Sequence, residues 1–202
     1  GEPPKYYELL PEHLSKQVIW IDTAPFGERG HKQTSENRDD TWNTAEARIV
    51  MNLLRQIIES DEFMTALKDD LQPQEPPIGI ICTYSKQRQI IDQMKAEATW
   101  LGDARRLVKV DTVDSYQGKE NRIVILTTVR NNSKQSPGFL NSPNRVNVAM
   151  SRAMERLFIV GSTKMWSGKN SQLPLGRALT KIRSLTDAGR AGILSGKQFQ
   201  GN

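Results

Sequence analysis

The chain has 202 residues, 37% hydrophobic and 25% charged, enough for one globular domain with a sizeable core. No apolar run approaches the roughly 20 residues of a spanning helix, no secretory signal is visible, and the single cysteine excludes an internal disulfide framework. The net charge of +5 hides a split: residues 1–100 carry −6 and residues 101–202 carry +11, so the second half suits a polyanionic partner. Two histidines, His13 and His31, form no Cys/His cluster with zinc spacing, and a reducing, intracellular setting is the expectation.

Val18-Ile19-Trp20-Ile21 predicts a buried strand ended by Asp22. Residues 23–42 are polar and contain Gly27 and Gly30, which predicts a long loop. Asn43 followed by Glu46 has the pattern of a capping box. Ala47, Ile49, Val50, Leu53, Leu54, Ile57 and Ile58 then recur at helical spacing. Pro73, Pro76 and Pro77 break the chain. Residues 78–83 lack alternation and predict a strand buried on both faces, with Cys82 a small hydrophobe within it. Ser85 is placed to cap a helix running to about Trp100. Two more strands are expected over 107–110 and 123–129, a helix over 143–153, a final strand over 157–160 and a last helix over 175–185. The tail 189–202 is expected to fray, leaving 1–188 as the domain. Strands alternating with helices predict an α/β fold, an open and mostly parallel sheet with helices on both faces.

The chemistry concentrates in three segments. Asn147-Val148-Ala149-Met150-Ser151-Arg152-Ala153 ends a predicted helix on an arginine and runs into an apolar strand. Arginine's planar, permanently charged fork suits phosphate oxygens; the plain alternative is a salt-bridged arginine at a helix end. Upstream stands Val113-Asp114-Ser115-Tyr116-Gln117-Gly118-Lys119-Glu120, where Gly118 lets backbone approach a ligand closely. Thr83-Tyr84-Ser85-Lys86-Gln87-Arg88 sits at a strand end, where open α/β sheets bind ligands, and opens a helix whose N-terminus favours anions. Asp111, Asp114 and Glu120 also leave open a metal-dependent nuclease, which explains neither Arg152 nor the Gln117-Gly118 pair.

These segments, with Gly138-Phe139-Leu140-Asn141 and Pro143-Asn144-Arg145 between Glu120 and Asn147, resemble motifs IV, V and VI of superfamily 1 helicases over about residues 18–161. The closer likeness is to the branch containing the RNA helicase of nonsense-mediated decay and its DNA-acting relatives. That branch writes V-D-x-x-Q-G-[RK]-E and N-V-A-[LM]-[ST]-R-A; its T-P-Y-x-x-Q is matched here without the proline. The resemblance implies the second RecA-like domain of a helicase core. It implies that Arg152 is catalytic, an arginine finger on the γ-phosphate. It places Gln117, Gly118 and Glu120 at the nucleotide, although Glu120 also fits an exposed cap or an ion pair with Lys119 or Arg122. It places Thr83, Tyr84, Gln87, Arg88, Thr112, Asp114 and Ser115 along a single-strand track. A core-facing Tyr84, and turn chemistry for Asp114 and Ser115, are the competing readings. Arg145 and Asn147 are expected to hold the motif VI helix, and no residue is expected to bind a metal.

No G-x-x-x-x-G-K-[ST] loop and no D-E-A-x-Q-like segment occurs in the chain. ATP and Mg²⁺ are therefore expected to be held mainly by an N-terminal RecA-like lobe of the same protein, the second partner beside single-stranded DNA or RNA. The expected function is ATP-dependent helicase or translocase activity, 5′ to 3′, with this chain alone inactive. The alternative is a non-catalytic RecA-like module that binds nucleic acid or protein.

Overall fold

The computed structural model describes residues 2–73, 75–116 and 118–201. Six strands form one sheet, every neighbouring pair parallel, in the order β5-β4-β6-β7-β1-β8. They are β1 (Val18–Asp22), β4 (Ile78–Cys82), β5 (Val108–Thr112), β6 (Asn121–Thr127), β7 (Ala153–Gly161) and β8 (Ala191–Ser195). Two short strands, β2 (Gln33–Thr34) and β3 (Thr41–Trp42), make a separate antiparallel pair.

Successive residues of a strand point to opposite faces, and each face has its own core. On one face Ile19, Ile21, Ile78, Ile80, Ile123, Ile125, Phe158 and Val160 pack against three helices, α1 (Thr44–Ile58), α2 (Asp61–Asp69) and α3 (Ser85–Glu97). On the other, Trp20, Ile81, Val124, Leu126 and Ile159 pack against α4 (Pro143–Ser151) and α5 (Pro174–Asp187). All five residues of β4 are buried, as its unbroken apolar run predicts. The result is three layers, helices on both sides of a parallel sheet, and the α/β RecA-like architecture expected from the sequence. Among the described residues no helix is long and apolar enough to cross a membrane.

Asn43 caps α1 as expected, its side chain accepting the Glu46 N–H at 3.0 Å. Ser85 does not cap α3. Tyr84 occupies the cap position in extended backbone, with no side-chain cap, and Ser85 is the first helical residue. Helix α2 was not anticipated, nor was the β2–β3 pair inside the expected loop. The larger correction concerns the end of the chain. Residues 157–160 are not the last strand, and the tail does not fray from Gly189: Ala191–Ser195 pairs with β1 across the full register from Val18 to Asp22. A 3-10 turn, Gly196–Phe199, then buries Phe199 against the α1 face of the core.

That docking gives a direct expectation. Phe199→Ala should cost about 3–5 kcal/mol of unfolding free energy in a denaturant titration, the range for a buried phenyl deletion. A tail that frays in solution would make the substitution neutral.

Candidate functional site

Parallel strands β5 and β6 are joined without an α-helix: a connection with one 3-10 turn, Asp114–Tyr116, carries the chain back from the C-terminal edge of the sheet to its N-terminal edge. Val113 donates its N–H to the Cys82 carbonyl at 3.0 Å, and Val113 and Tyr116 are buried in the second core. The strap thus has one end in a groove at the C-terminal edge and the other beside Arg152.

The groove encloses about 200 Å³. Thr83, Tyr84, Ser85 and Lys86, with Thr112, Asp114, Phe139 and Arg145, line it. Asp39, Asp40 and Thr41 lie on the rim, brought there by the β2–β3 pair. The Tyr84 and Phe139 rings meet at 4.5 Å between centroids, and the Arg145 guanidinium stacks 4.4 Å above Phe139. Arg145 also pairs with Asp114 at 3.4 Å, an exposed contact. The Thr112 hydroxyl donates to Ser115 at 3.2 Å. Burial raises the Tyr84 phenol above its ordinary pKa, so it is a neutral donor at physiological pH. The uncapped N-terminus of α3 opens on the same space, leaving backbone N–H groups for an anion.

The second cluster sits at the opposite edge, where β6 and β7 begin. Arg152 is the C-cap of α4, and its carbonyl accepts the Asn121 N–H at 3.0 Å. Its Nε donates to the Val148 carbonyl at 3.2 Å and its Nη1 approaches the Lys119 carbonyl at 3.5 Å. Among the described residues no carboxylate lies within ion-pair distance of it. A guanidinium has five N–H donors, so most of its fork is left for an anion. Gly118 has φ +74°, and the position of a side chain there is open space, with nothing within 4 Å. Lys119 and Glu120 are exposed beside it. Arg122, offered above as a partner for Glu120, is instead held by Asp70 and Glu155. Gln117 lies outside the described residues.

The expected track residues divide. Tyr84, Thr112 and Asp114 line the groove, and Ser115 adjoins it through Thr112. Thr83 lines it too, but is buried, and its hydroxyl donates to the Thr128 carbonyl at 2.9 Å. Gln87 is a correction: it is fully buried, with its amide bridging both backbone groups of Asn43 and the Thr127 hydroxyl. Arg88 faces away, paired with Asp92 at 3.0 Å, and does not line the groove. Arg145, expected to brace its helix, stands in the groove wall, and Phe139 was missed. Asp111, Asp114 and Glu120 do not converge; among the described residues no group of three potential ligands could hold a metal ion.

Beneath the groove lies a buried polar frame. Glu46 accepts the Thr127 hydroxyl at 2.9 Å and the Val129 N–H at 3.0 Å. Asn43 donates to the carbonyls of Gly30 (2.9 Å) and Val129 (3.0 Å) and, at 3.2 Å, to Glu46. Burial pushes the Glu46 carboxyl up to about 7, although those donated hydrogen bonds oppose it.

Residues 3–164 match the AAA domain family, most of the chain. The chain belongs to the AAA domain family. The protein named "Helicase required for RNAi-mediated heterochromatin assembly 1" from Schizosaccharomyces pombe is 38% identical over 104 residues, 52% of this chain and 10% of the relative. "Regulator of nonsense transcripts 1 homolog" from Neurospora crassa is 40% identical over 89 residues, 44% and 8% respectively. "ATP-dependent helicase upf1" from Schizosaccharomyces pombe is 35% identical over 102 residues, 50% and 11%. The chain spans about a tenth of the length of these relatives. The AAA match and the parallel sheet make the chain a RecA-like domain of the P-loop NTPase superfamily, similar in sequence to superfamily 1 helicases in the branch of the nonsense-transcript regulators. Nucleotide and Mg²⁺ use is general in that family.

The frame has a pH signature. A carboxyl at about 7 in the fold and about 4.3 unfolded makes the folded state bind the proton more tightly. Its contribution to stability is full below the unfolded pKa and is lost as pH rises through about 7. The thermal midpoint should therefore drop between pH 5 and pH 8 by more in the native chain than in Glu46→Gln. Parallel profiles for the two proteins would contradict this.

Proposed function

We propose that this domain is the second motor lobe of an ATP-dependent helicase or translocase, with the groove on the single-strand path and Arg152 facing the nucleotide. The observation that carries the reading is the strap: one eight-residue connection joins Thr112, Asp114 and Ser115 in the groove to Gly118 and Glu120 beside Arg152.

ATP is the substrate in this reading, and the described residues suit one wall of its site. Among the described residues Arg152 has no carboxylate partner and keeps donors for the γ-phosphate, the open space at Gly118 admits a ligand close to backbone, and Glu120 is exposed for ribose hydroxyls. The sequence has no phosphate loop, and among the described residues no cluster of ligands could hold Mg²⁺; in this reading an N-terminal RecA-like lobe holds both. In the groove, the Tyr84–Phe139–Arg145 stack offers π-faces to bases, and Lys86, Arg145 and the α3 N-terminus offer charge and N–H groups to phosphates. None of these contacts reads a base edge, as fits a strand tracked without regard to sequence. The 5′ to 3′ direction follows the branch to which the motifs are similar.

Single-strand binding by the chain should weaken linearly in log affinity against log salt, by about 0.7 per phosphate neutralised. Arg145→Ala should lower both affinity and slope. Affinity indifferent to salt, or to Arg145, argues for a protein-binding module instead.

In the complete enzyme, Arg152→Ala should lower kcat about 10³-fold or more, with much less change in KM, since the other lobe still holds ground-state nucleotide. Arg152→Lys should rescue poorly. Arg156, just past this segment, is unsuitable as a control because it is buried, with its guanidinium 3.9 Å over the Tyr7 ring. The exposed Arg177 of α5 serves better. Equal losses from Arg152→Ala and Arg177→Ala would remove the finger assignment. Steady Mg²⁺-dependent ATP turnover by this chain alone would remove the two-lobe assignment.

A further inference from the structure

Val129 has φ +63°, in the left-handed region. A β-branched residue is disfavoured there, and such strain persists only where the surroundings enforce it. Here the enforcement is visible. The Val129 N–H is held by Glu46 Oε1 at 3.0 Å and its carbonyl by Asn43 Nδ2 at 3.0 Å, so both backbone groups are gripped by the first turn of α1. Glu46, Asn43, Gln87 and Thr127 are all fully buried and bonded to one another.

The grip reaches the groove through the residues on either side. Before Val129, the Thr128 carbonyl accepts the Thr83 hydroxyl at 2.9 Å. After it, Arg130 donates to the Ser136 carbonyl at 3.0 and 2.7 Å, closing the loop that leads to Phe139. Gly138, at φ +56°, lets that loop lie against Tyr84 and Arg130: a Cβ there would sit 3.0 Å from the Tyr84 hydroxyl and 3.2 Å from the Arg130 Cζ. Both rings of the groove wall therefore depend on where the chain leaves Val129.

We infer that Glu46 and Asn43 are positioning residues for the groove: they hold the strained Val129 turn, and through Arg130 and Gly138 that turn sets the Tyr84–Phe139 wall. Neither touches the groove itself. Only the last arm of the test rests on the groove being the single-strand path.

The experiment follows the Tyr84 and Phe139 ring resonances by NMR in the chain carrying Glu46→Gln or Glu46→Ala, each with and without Val129→Gly. Glutamine keeps a carbonyl oxygen for the Val129 N–H, whereas alanine removes it. Glycine adopts the left-handed turn unaided. The ring resonances should stay near their native positions in Glu46→Gln, shift in Glu46→Ala, and return in Glu46→Ala/Val129→Gly, while resonances of residues 118–120 at the far edge hold throughout. Unmoved rings in a folded Glu46→Ala, or a shift that Val129→Gly leaves uncorrected, overturns the inference. If Glu46→Ala does not fold, a folded double variant with native ring resonances supports it, and a double variant that also fails to fold makes Glu46 a core residue only and overturns it. An oligo-dT or oligo-U titration completes the series: affinity should fall about tenfold in Glu46→Ala, the scale of one lost base stack, and return in the double variant. Rings that move as expected in a chain that binds neither oligonucleotide refute the strand path and leave the positioning role standing.

Discussion

Parallel pairing is the constraint from which the rest follows. When β5, β4 and β6 all run the same way, the chain leaving β5 at one edge must travel the length of the sheet before β6 can begin. Most such returns are made by helices, as α1 and α2, α3, α4 and α5 do here. The return between β5 and β6 is made by a short segment with a single 3-10 turn, anchored through buried Val113 and Tyr116. The groove and the Arg152 cluster therefore lie at opposite ends of one connection and are not neighbours in a common pocket.

The two ends differ in chemistry. The groove is partly aromatic and mixed in charge, with Lys86 and Arg145 set among Asp39, Asp40 and Asp114. The Arg152 end is open: a Cβ on Gly118 would meet nothing within 4 Å, and among the described residues Arg152 has no carboxylate partner. An unpaired arginine held by carbonyls is oriented without being neutralised, which suits a group meant to meet an anion. The exposed charge pairs contribute little to stability and can be exchanged for ligand contacts at small cost.

Much of the architecture was legible because its signals were strong. Residues 78–82 form an unbroken apolar run and 43–58 a capped, periodic helix, and both behave as such. Ala191–Ser195 was not legible: it is a short strand containing a glycine, half-buried, and its place follows from β1 offering a free edge. Among site residues, types and order were visible but facing was not. Gln87 and Arg88 are adjacent at the start of one helix, yet one is enclosed by Asn43 and Thr127 while the other pairs outward with Asp92. Which side of a helix meets the core depends on packing that motif spacing does not encode. Asn43 and Glu46 were readable as a cap, and as a cap they are ordinary. Their grip on Val129, more than eighty positions away, belongs to tertiary structure alone.

The position of β1 has a consequence for how such a chain is made. The first strand of the sheet lies between the last two, paired on one side with Leu157–Gly161 and on the other with Ala191–Ser195. Emerging from a ribosome, it has no strand to pair with until some 140 further residues have followed, and no second neighbour until nearly the whole domain is synthesised. Its apolar Ile19, Trp20 and Ile21 must wait under cover of local contacts, with α1 the first available. Pairings so distant in sequence slow folding, because loop closure precedes any reward. The domain should therefore complete its sheet late and as a unit, and chains interrupted before β7 are the ones that expose a sticky, unpaired first strand.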